Sequence, residues 1–367
     1  MSYKLKKNDL FYISWILMVV HLCLANSNAA NFSTALISYF CMIIFFIKII
    51  WTGHYTLKQI IVMCFLLGVS ILSVIKCKDM RFFWFALVLC ASKGIEFDRV
   101  VKYSLRTTII CCFCFMALYF GGIIEGAHSV SARGTRLSFG LGHANMCSAY
   151  YAIIIVYLLY LHFEKVEFKH ILLIGVGAFV VFHFTKSNTG LLVTLFSIFA
   201  FGVLKYIPLK KFNSKIMIAV LLIVIAMFTI MPLLYNNSLL WLDTAMTGRL
   251  HQANFYFNKY GISILGNDLS FDLNKWNTDN ILDLGYARML LCNGVMYYLL
   301  VVIGYVISLV KALKKQKRNL LVFLGAMIIY IATENVATYI FMNASMLVFS
   351  NIIFYSERKE LGRKYES

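Results

Sequence analysis

Residues 215–235 read Lys215-Ile-Met-Ile-Ala-Val-Leu-Leu-Ile-Val-Ile-Ala-Met-Phe-Thr-Ile-Met-Pro232-Leu-Leu-Tyr235, with a charge only at the first position. An apolar run of this kind matches the roughly 20 residues, about 30 Å, that an α-helix needs to cross a bilayer. Comparable runs lie near 10–27, 33–51, 58–75, 79–92, 105–124, 143–163, 170–185, 188–204, 284–309, 319–333 and 335–355. The chain therefore reads as an all-α polytopic membrane protein, a single integral-membrane domain over residues 1–367 with about twelve transmembrane helices. Composition agrees: 61% of the 367 residues are apolar, 14% are charged and mean hydropathy is +0.79. Soluble domains carry roughly 25% charged residues, so a water-soluble enzyme and a disordered chain are both excluded. A signal peptide is the alternative for the first run. Asn26, Ser27 and Asn28 lead at once into another run with no clear small-x-small site, which favours a retained span.

The formal charge of +18 raises the question of an anionic partner. With the N-terminus inside, 24 of the 34 Lys and Arg fall on inner segments. Nine fall outside, namely Lys76, Lys78, Arg81, Arg133, Arg136, Lys186, Arg249, Lys259 and Lys275, and Arg288 lies just within the tenth span. This bias places both termini in the cytoplasm. The charge is then a topology signal with an affinity for the lipid bilayer's anionic headgroups, not a nucleic-acid footprint. Lys76, Lys78 and Arg81 run against the bias around a short fourth span. The ten Cys have no ligand spacing, so neither a metal nor another cofactor is expected, and no nucleotide-binding loop or internal repeat is evident.

Polar residues gather on the outer side. Residues 236–283 form one large outer loop whose aromatics, Trp241, Phe255, Tyr256, Phe257, Tyr260 and Trp276, argue for an ordered structure. Within it, Arg249, Gln252 and Tyr256 share one helical face and Leu250, Ala253 and Phe257 another. A second cluster, Arg133-Gly-Thr-Arg136-Leu-Ser-Phe-Gly-Leu-Gly-His143-Ala-Asn145, sets two arginine forks at the mouth of the sixth span. Such forks suit a phosphate-bearing lipid headgroup, with snorkelling to the interface as the alternative. Thr185-Lys-Ser187-Asn-Thr189-Gly190 offers hydroxyls for sugar-type hydrogen bonding or for helix capping. Asp283, Tyr286 and Arg288 precede the tenth span, and Glu334 lies between the last two; charges at that depth are functional candidates.

In this order and on this common side, the clusters resemble Wzy-type polysaccharide polymerases, relatives of the O-antigen ligases. The resemblance rests on Arg136-Leu-Ser-Phe-Gly with His143-Ala-Asn145, on Thr185-Lys-Ser187-Asn-Thr189, and on Thr247-Gly248-Arg249-Leu with Tyr260-Gly-Ile and Leu265-Gly266. Asp283 and Tyr286 ahead of Asn293-Gly294-Val295 complete it, over roughly residues 80–350. Ala144 stands where the family often has Pro, and Asn188 where it often has Arg.

The resemblance implies a glycosyltransferase of the bacterial cytoplasmic membrane with its active site on the extracytoplasmic side. Its substrate would be an undecaprenyl-pyrophosphate-linked glycan, extended by repeat units, with flippase and chain-length regulator proteins as partners. The expected roles are Arg249 and Arg136, with Arg133, on the pyrophosphate, and His143 or Asp283 as proton acceptor. Asn145, Tyr286 and Glu334 would line the sugar path, with Ser187, Gln252 and Arg288 as further substrate contacts. An O-antigen-ligase-like transferase shares these features. A flippase or transporter would need charges in mid-span, and the spans are nearly free of them.

Overall fold

Apolar runs become helices where no side chain competes for the backbone, and in the computed structural model they do so along most of the chain. The structure describes residues 6–29, 35–126, 128–131, 134–209, 214–273 and 282–354. In order the helices are α1 (Lys7–Ala25), α2 (Ala35–Thr52), α3 (Leu57–Cys77), α4 (Arg81–Ala91) and α5 (Phe97–Phe120). A hairpin of β1 (His128–Ser131) and β2 (Gly134–Leu137) follows, then α6 (Ala144–Leu161), α7 (Phe168–Thr185), α8 (Asn188–Tyr206) and α9 (Ser214–Leu233). Short helices α10 (Leu240–Ala245), α11 (Arg249–Tyr260) and α12 (Ser270–Leu273) precede α13 (Gly285–Arg288), which continues through a π turn into α14 (Gly294–Lys314). The chain ends in α15 (Arg318–Thr333) and α16 (Ser350–Ile353).

Among the described residues, nine helices are long and apolar enough to cross a membrane, counting Gly285–Lys314 as one. Leu36, Ile61, Phe113, Leu173 and Ile223, from α2, α3, α5, α7 and α9, are exposed. A belt of large apolar side chains on this scale has lipid as its solvent. The molecule is thus an all-α polytopic membrane protein.

Three of the twelve expected spans fall outside this set: α15 is helical over its stretch but has 16 residues, and two others take different forms. α4 has 11 residues, all buried, and at 1.5 Å per residue covers roughly 16 Å, about half the hydrocarbon thickness. The stretch expected as a span at 335–355 is not one helix. It is built from 3-10 turns at Asn335–Thr338 and Ala344–Phe349, followed by α16. Its polar side chains compete with helical hydrogen bonding: Asn343 Nδ2 donates to Ala337 O at 2.9 Å, and Thr338 Oγ1 to Asn335 O at 2.6 Å. Buried tyrosines of neighbouring helices serve the backbone groups this releases. Tyr297 donates to Thr338 O at 3.0 Å, while Tyr157 donates to Met342 O at 3.3 Å and accepts from Ala344 N at 3.2 Å.

Helix ends sort into two sets. At one end, cations bond to carbonyls near helix termini: Lys48 to Lys93 O at 3.1 Å, Lys205 to Phe163 O at 3.2 Å, and Arg318 to Lys205 O at 3.3 Å. At the other, the basic residues that oppose the charge bias meet the long connection after α9. Lys78 pairs with Asp268 at 2.6 Å and Lys76 donates to Ser263 Oγ at 2.6 Å. That connection is bound to the membrane helices through glycines. Gly266 has φ +92°, and a Cβ there would stand 2.0 Å from Cys292 O; Gly294 has φ +85°, and a Cβ there would stand 2.4 Å from the Gly266 nitrogen. The close approach allows Asn267 N to donate to Leu291 O at 3.0 Å and Val295 N to Ser263 O at 3.0 Å. Leu250, Ala253, Tyr256 and Phe257 of α11 then bury against Leu284, Ala287 and Leu291 in a second apolar core.

Candidate functional site

Five segments distant in sequence form one cavity of about 730 Å³ at this second end. β2 carries Arg136, paired in the hairpin opposite Ser129. Its Nε donates to Thr185 O at 2.9 Å and its Nη2 to Asn145 Oδ1, so the arginine joins the hairpin, the start of α6 and the end of α7. α6 is capped by His143, whose Nδ1 accepts from Asn145 N at 3.2 Å. The α7–α8 turn lies against this cap because position 190 is glycine: a Cβ there would stand 1.9 Å from Ser148 Oγ. Lys186, at φ +50°, closes α7 in the left-handed conformation and reaches the cavity with Ser187 and Thr189.

α11 supplies Arg249 from its first turn. Asp243 Oδ1 accepts from Leu250 N at 2.8 Å and from His251 N at 3.1 Å, so a buried carboxylate satisfies the helix start and favours its dipole. The buried Arg249 fork donates from Nη1 to Thr333 O, and from Nη2 to Glu334 Oε1 at 3.0 Å, with Asp283 Oδ2 at 3.3 Å. Glu334 Oε1 also accepts from Thr189 Oγ1 at 2.6 Å, which is 3.2 Å from Ser187 Oγ. Asn335 Nδ2 donates to Asp283 Oδ1 at 2.9 Å. One guanidinium thus orients two carboxylates, and each carboxylate has a second, neutral donor.

The environment sets the charges. Burial works against the Arg249 cation, but Glu334 and Asp283 outweigh it and raise its pKa above the ordinary value. Burial dominates at Glu334 and raises its carboxyl above the usual range, with Arg249 opposing and Asp283 adding to the rise. At His143, desolvation and then Arg136 lower the pKa, against Asp283. A neutral His143 whose Nδ1 lone pair serves the helix cap carries its proton on Nε2, where it can only donate. The cavity lining is amphiphilic: Leu192, Phe228, Leu242 and Met246 line it together with Arg136, Lys186, Ser187 and Arg249.

Of the residues expected at a site, Arg136, Asn145, Ser187 and Arg249 line this cavity, with Asp283 and Glu334 bonded to Arg249. Gln252, half-buried one turn along α11, does not line it. Tyr286 is fully buried, donating to Ile328 O at 3.1 Å, because residue 286 lies on the face of α13 that packs into the core. Arg288 lines a different cavity. Arg133 lies outside the described residues, as do Lys275, Trp276 and Asp279. Lys186 and Thr189 are additions. The sequence marks Lys186 only as one of the nine outer basic residues, and the signal for it is its place inside the hydroxyl-rich turn. Among the described residues no group of three or more His, Cys, Asp or Glu could hold a metal ion. Comparison with protein-family models, curated proteins and solved structures finds no match to this chain.

Proposed function

We propose that this protein is a membrane glycosyltransferase that polymerises polyprenyl-pyrophosphate-linked oligosaccharide repeat units, at the outer face of a bacterial cytoplasmic membrane. The observation that carries the reading is the convergence of Arg136, Lys186, Ser187 and Arg249 on one cavity with an apolar wall. Such a cavity suits an amphiphile with an anionic, sugar-bearing head. In the proposed reaction an acceptor hydroxyl oxygen bonds to the anomeric carbon of the donor glycan. The bond from that carbon to the pyrophosphate oxygen breaks, and the pyrophosphate leaves with the electron pair. Arg136 and Lys186 stabilise the charge that builds on the leaving group. Asp283, 18% exposed and the more accessible of the two carboxylates, takes the hydroxyl proton. Arg249 is assigned to positioning, since its fork is committed to Thr333 O, Glu334 and Asp283. His143 is assigned to the cap of α6, because its acceptor nitrogen is already used.

The test is reconstitution of the purified protein with a lipid-pyrophosphate-linked repeat unit. Products of two or more units and release of polyprenyl pyrophosphate are expected, and both should fall at least 100-fold in Arg136→Ala at equal protein level. Wild-type protein that leaves every repeat unit single, with the acceptor and donor both lipid-linked, refutes the proposal.

A further inference from the structure

Two segments run from this cavity to another one. Asp283 and Glu334 meet Arg249, whereas Arg288, on the same segment as Asp283, and Tyr339, just beyond Glu334, line a separate cavity of about 320 Å³. Its other walls are the α3–α4 turn, Cys77–Met80, and residues 267–273 at α12. Among the described residues the charges around it leave one cation over. Arg81 is buried, with its Nη1 3.7 Å from Asp79 Oδ2 and its Nη2 donating to Tyr339 OH at 3.2 Å. Lys78 on the wall is paired with Asp268 at 2.6 Å. Arg288 Nη1 makes a long bond to Leu282 O, 3.4 Å, and its charge acts on Asp79. Among the described residues the ion pairs here are Lys78–Asp268, Arg81–Asp79 and Lys259–Asp272, which leaves Arg288 as the cation without a carboxylate of its own; Lys78, Asp79 and Arg288 are the charges that line the cavity.

Donors are also left over. Among the described residues, Arg81 Nε and Nη1 and Arg288 Nε are buried with no hydrogen-bond partner, and Arg288 is the one of the two that lines the cavity. Unmatched buried donors on a guanidinium are unfavourable, and a second guanidinium beside one carboxylate is more so. An oxyanion in the cavity answers both faults at Arg288, bringing negative charge and several acceptors in the geometry that an arginine fork matches.

We propose that the cavity between the α3–α4 turn, α12 and Arg288 is a binding site for a phosphate-type oxyanion, free or carried on a lipid headgroup. The assignment stands on this cavity's own charges and donors. Joined to the glycosyltransferase reading, on which this last step rests, it supplies the position for the second pyrophosphate of a reaction whose donor and acceptor are both lipid-linked.

The experiment measures binding of inorganic pyrophosphate, and of polyprenyl pyrophosphate in detergent micelles, to purified Arg136→Gln protein, so that the first cavity contributes least. Arg288→Gln added to that background should weaken binding roughly 10- to 100-fold. Leu273→Trp keeps every charge but fills the space, and should have the same effect. Both anions binding identifies a site for free oxyanions, and polyprenyl pyrophosphate binding alone identifies a lipid headgroup site. No binding of either anion to the Arg136→Gln protein, or binding unchanged by both added substitutions, overturns the proposal. Formation of elongated glycan by the wild-type protein is scored separately, so failure here leaves the enzymatic reading to its own test.

Discussion

Replacing Arg249 by Met tests whether the two carboxylates of the cavity depend on one guanidinium. The wild-type contacts lie at 3.0 Å to Glu334 and 3.3 Å to Asp283. At an effective dielectric constant of about 20, each such pair is attractive by about 5 kcal/mol before desolvation is subtracted. Removing the cation forfeits both attractions and leaves two carboxylates side by side, one of them fully enclosed, so Arg249→Met should destabilise by about 3–5 kcal/mol. Glu334→Gln keeps an acceptor for Thr189 and Arg249 and leaves Asp283 as counter-ion; about 1–2 kcal/mol is expected. In the double variant the remaining carboxylate, Asp283, is partly hydrated and retains Asn335, so the double loss should fall short of the summed single losses by about 2 kcal/mol. The assay is reversible unfolding in mixed detergent micelles, followed by circular dichroism. The sign with pH follows from the raised carboxyl of Glu334: above the ordinary carboxyl range the folded state holds a proton that the unfolded state has lost. That contribution is present at low pH and is lost as pH rises through the raised value. Without Arg249 the rise is larger, so the deficit of Arg249→Met should shrink on going from pH 8 to pH 5. Strict additivity in the cycle, or a deficit independent of pH, refutes the coupling.

His143→Asn keeps a good helix cap, so stability at pH 8 should stay within about 1 kcal/mol of wild type. Because the folded His143 has a lowered pKa, its unfavourable effect appears as pH falls through the ordinary histidine value near 6.5, and the variant should lose less stability between pH 7 and 5.5. Chain extension should survive in His143→Asn; abolition in a folded variant makes His143 the base. Gly266→Ala places a Cβ 2.0 Å from Cys292 O, whereas Gly248→Ala, at a similar positive φ, meets nothing within 4 Å. Thermal melting should therefore show about 1 kcal/mol of backbone strain at 248 and a clearly larger loss at 266, and equal losses would contradict the close packing of the loop on the π turn.

What could be read from the chain alone follows from the range of the forces involved. A run such as 215–235 is legible because lipid acts on each side chain independently, and α9 forms where the run lies. The common side of Arg136, Ser187, Arg249 and Glu334 is legible for the same reason, since the charge bias orders the connections. Pairing is not. Arg249 and Glu334 are brought together only by tertiary packing, in which α11 lies against α9 and the π turn, and no spacing in the chain encodes a 3.0 Å contact between them. The stretch 335–355 misleads because its apolar content is real, while Asn343, Ser345 and Thr338 act locally on the backbone and need Tyr157, Tyr297 and Tyr305 from other helices. Tyr286 and Arg288 show the same limit at shorter range. They are two residues apart in one helical turn, yet one enters the core and the other a second cavity, a division set by rotation about the helix axis and not by polarity. Lys186 is the reverse case: it is one of nine basic residues on the minority side, the chain alone does not single it out from the others, and only the fold puts Arg136 and Ser187 beside it. A basic residue on the minority side of a membrane protein thus needs two explanations, one for its side and one for its neighbours, and only the second bears on chemistry.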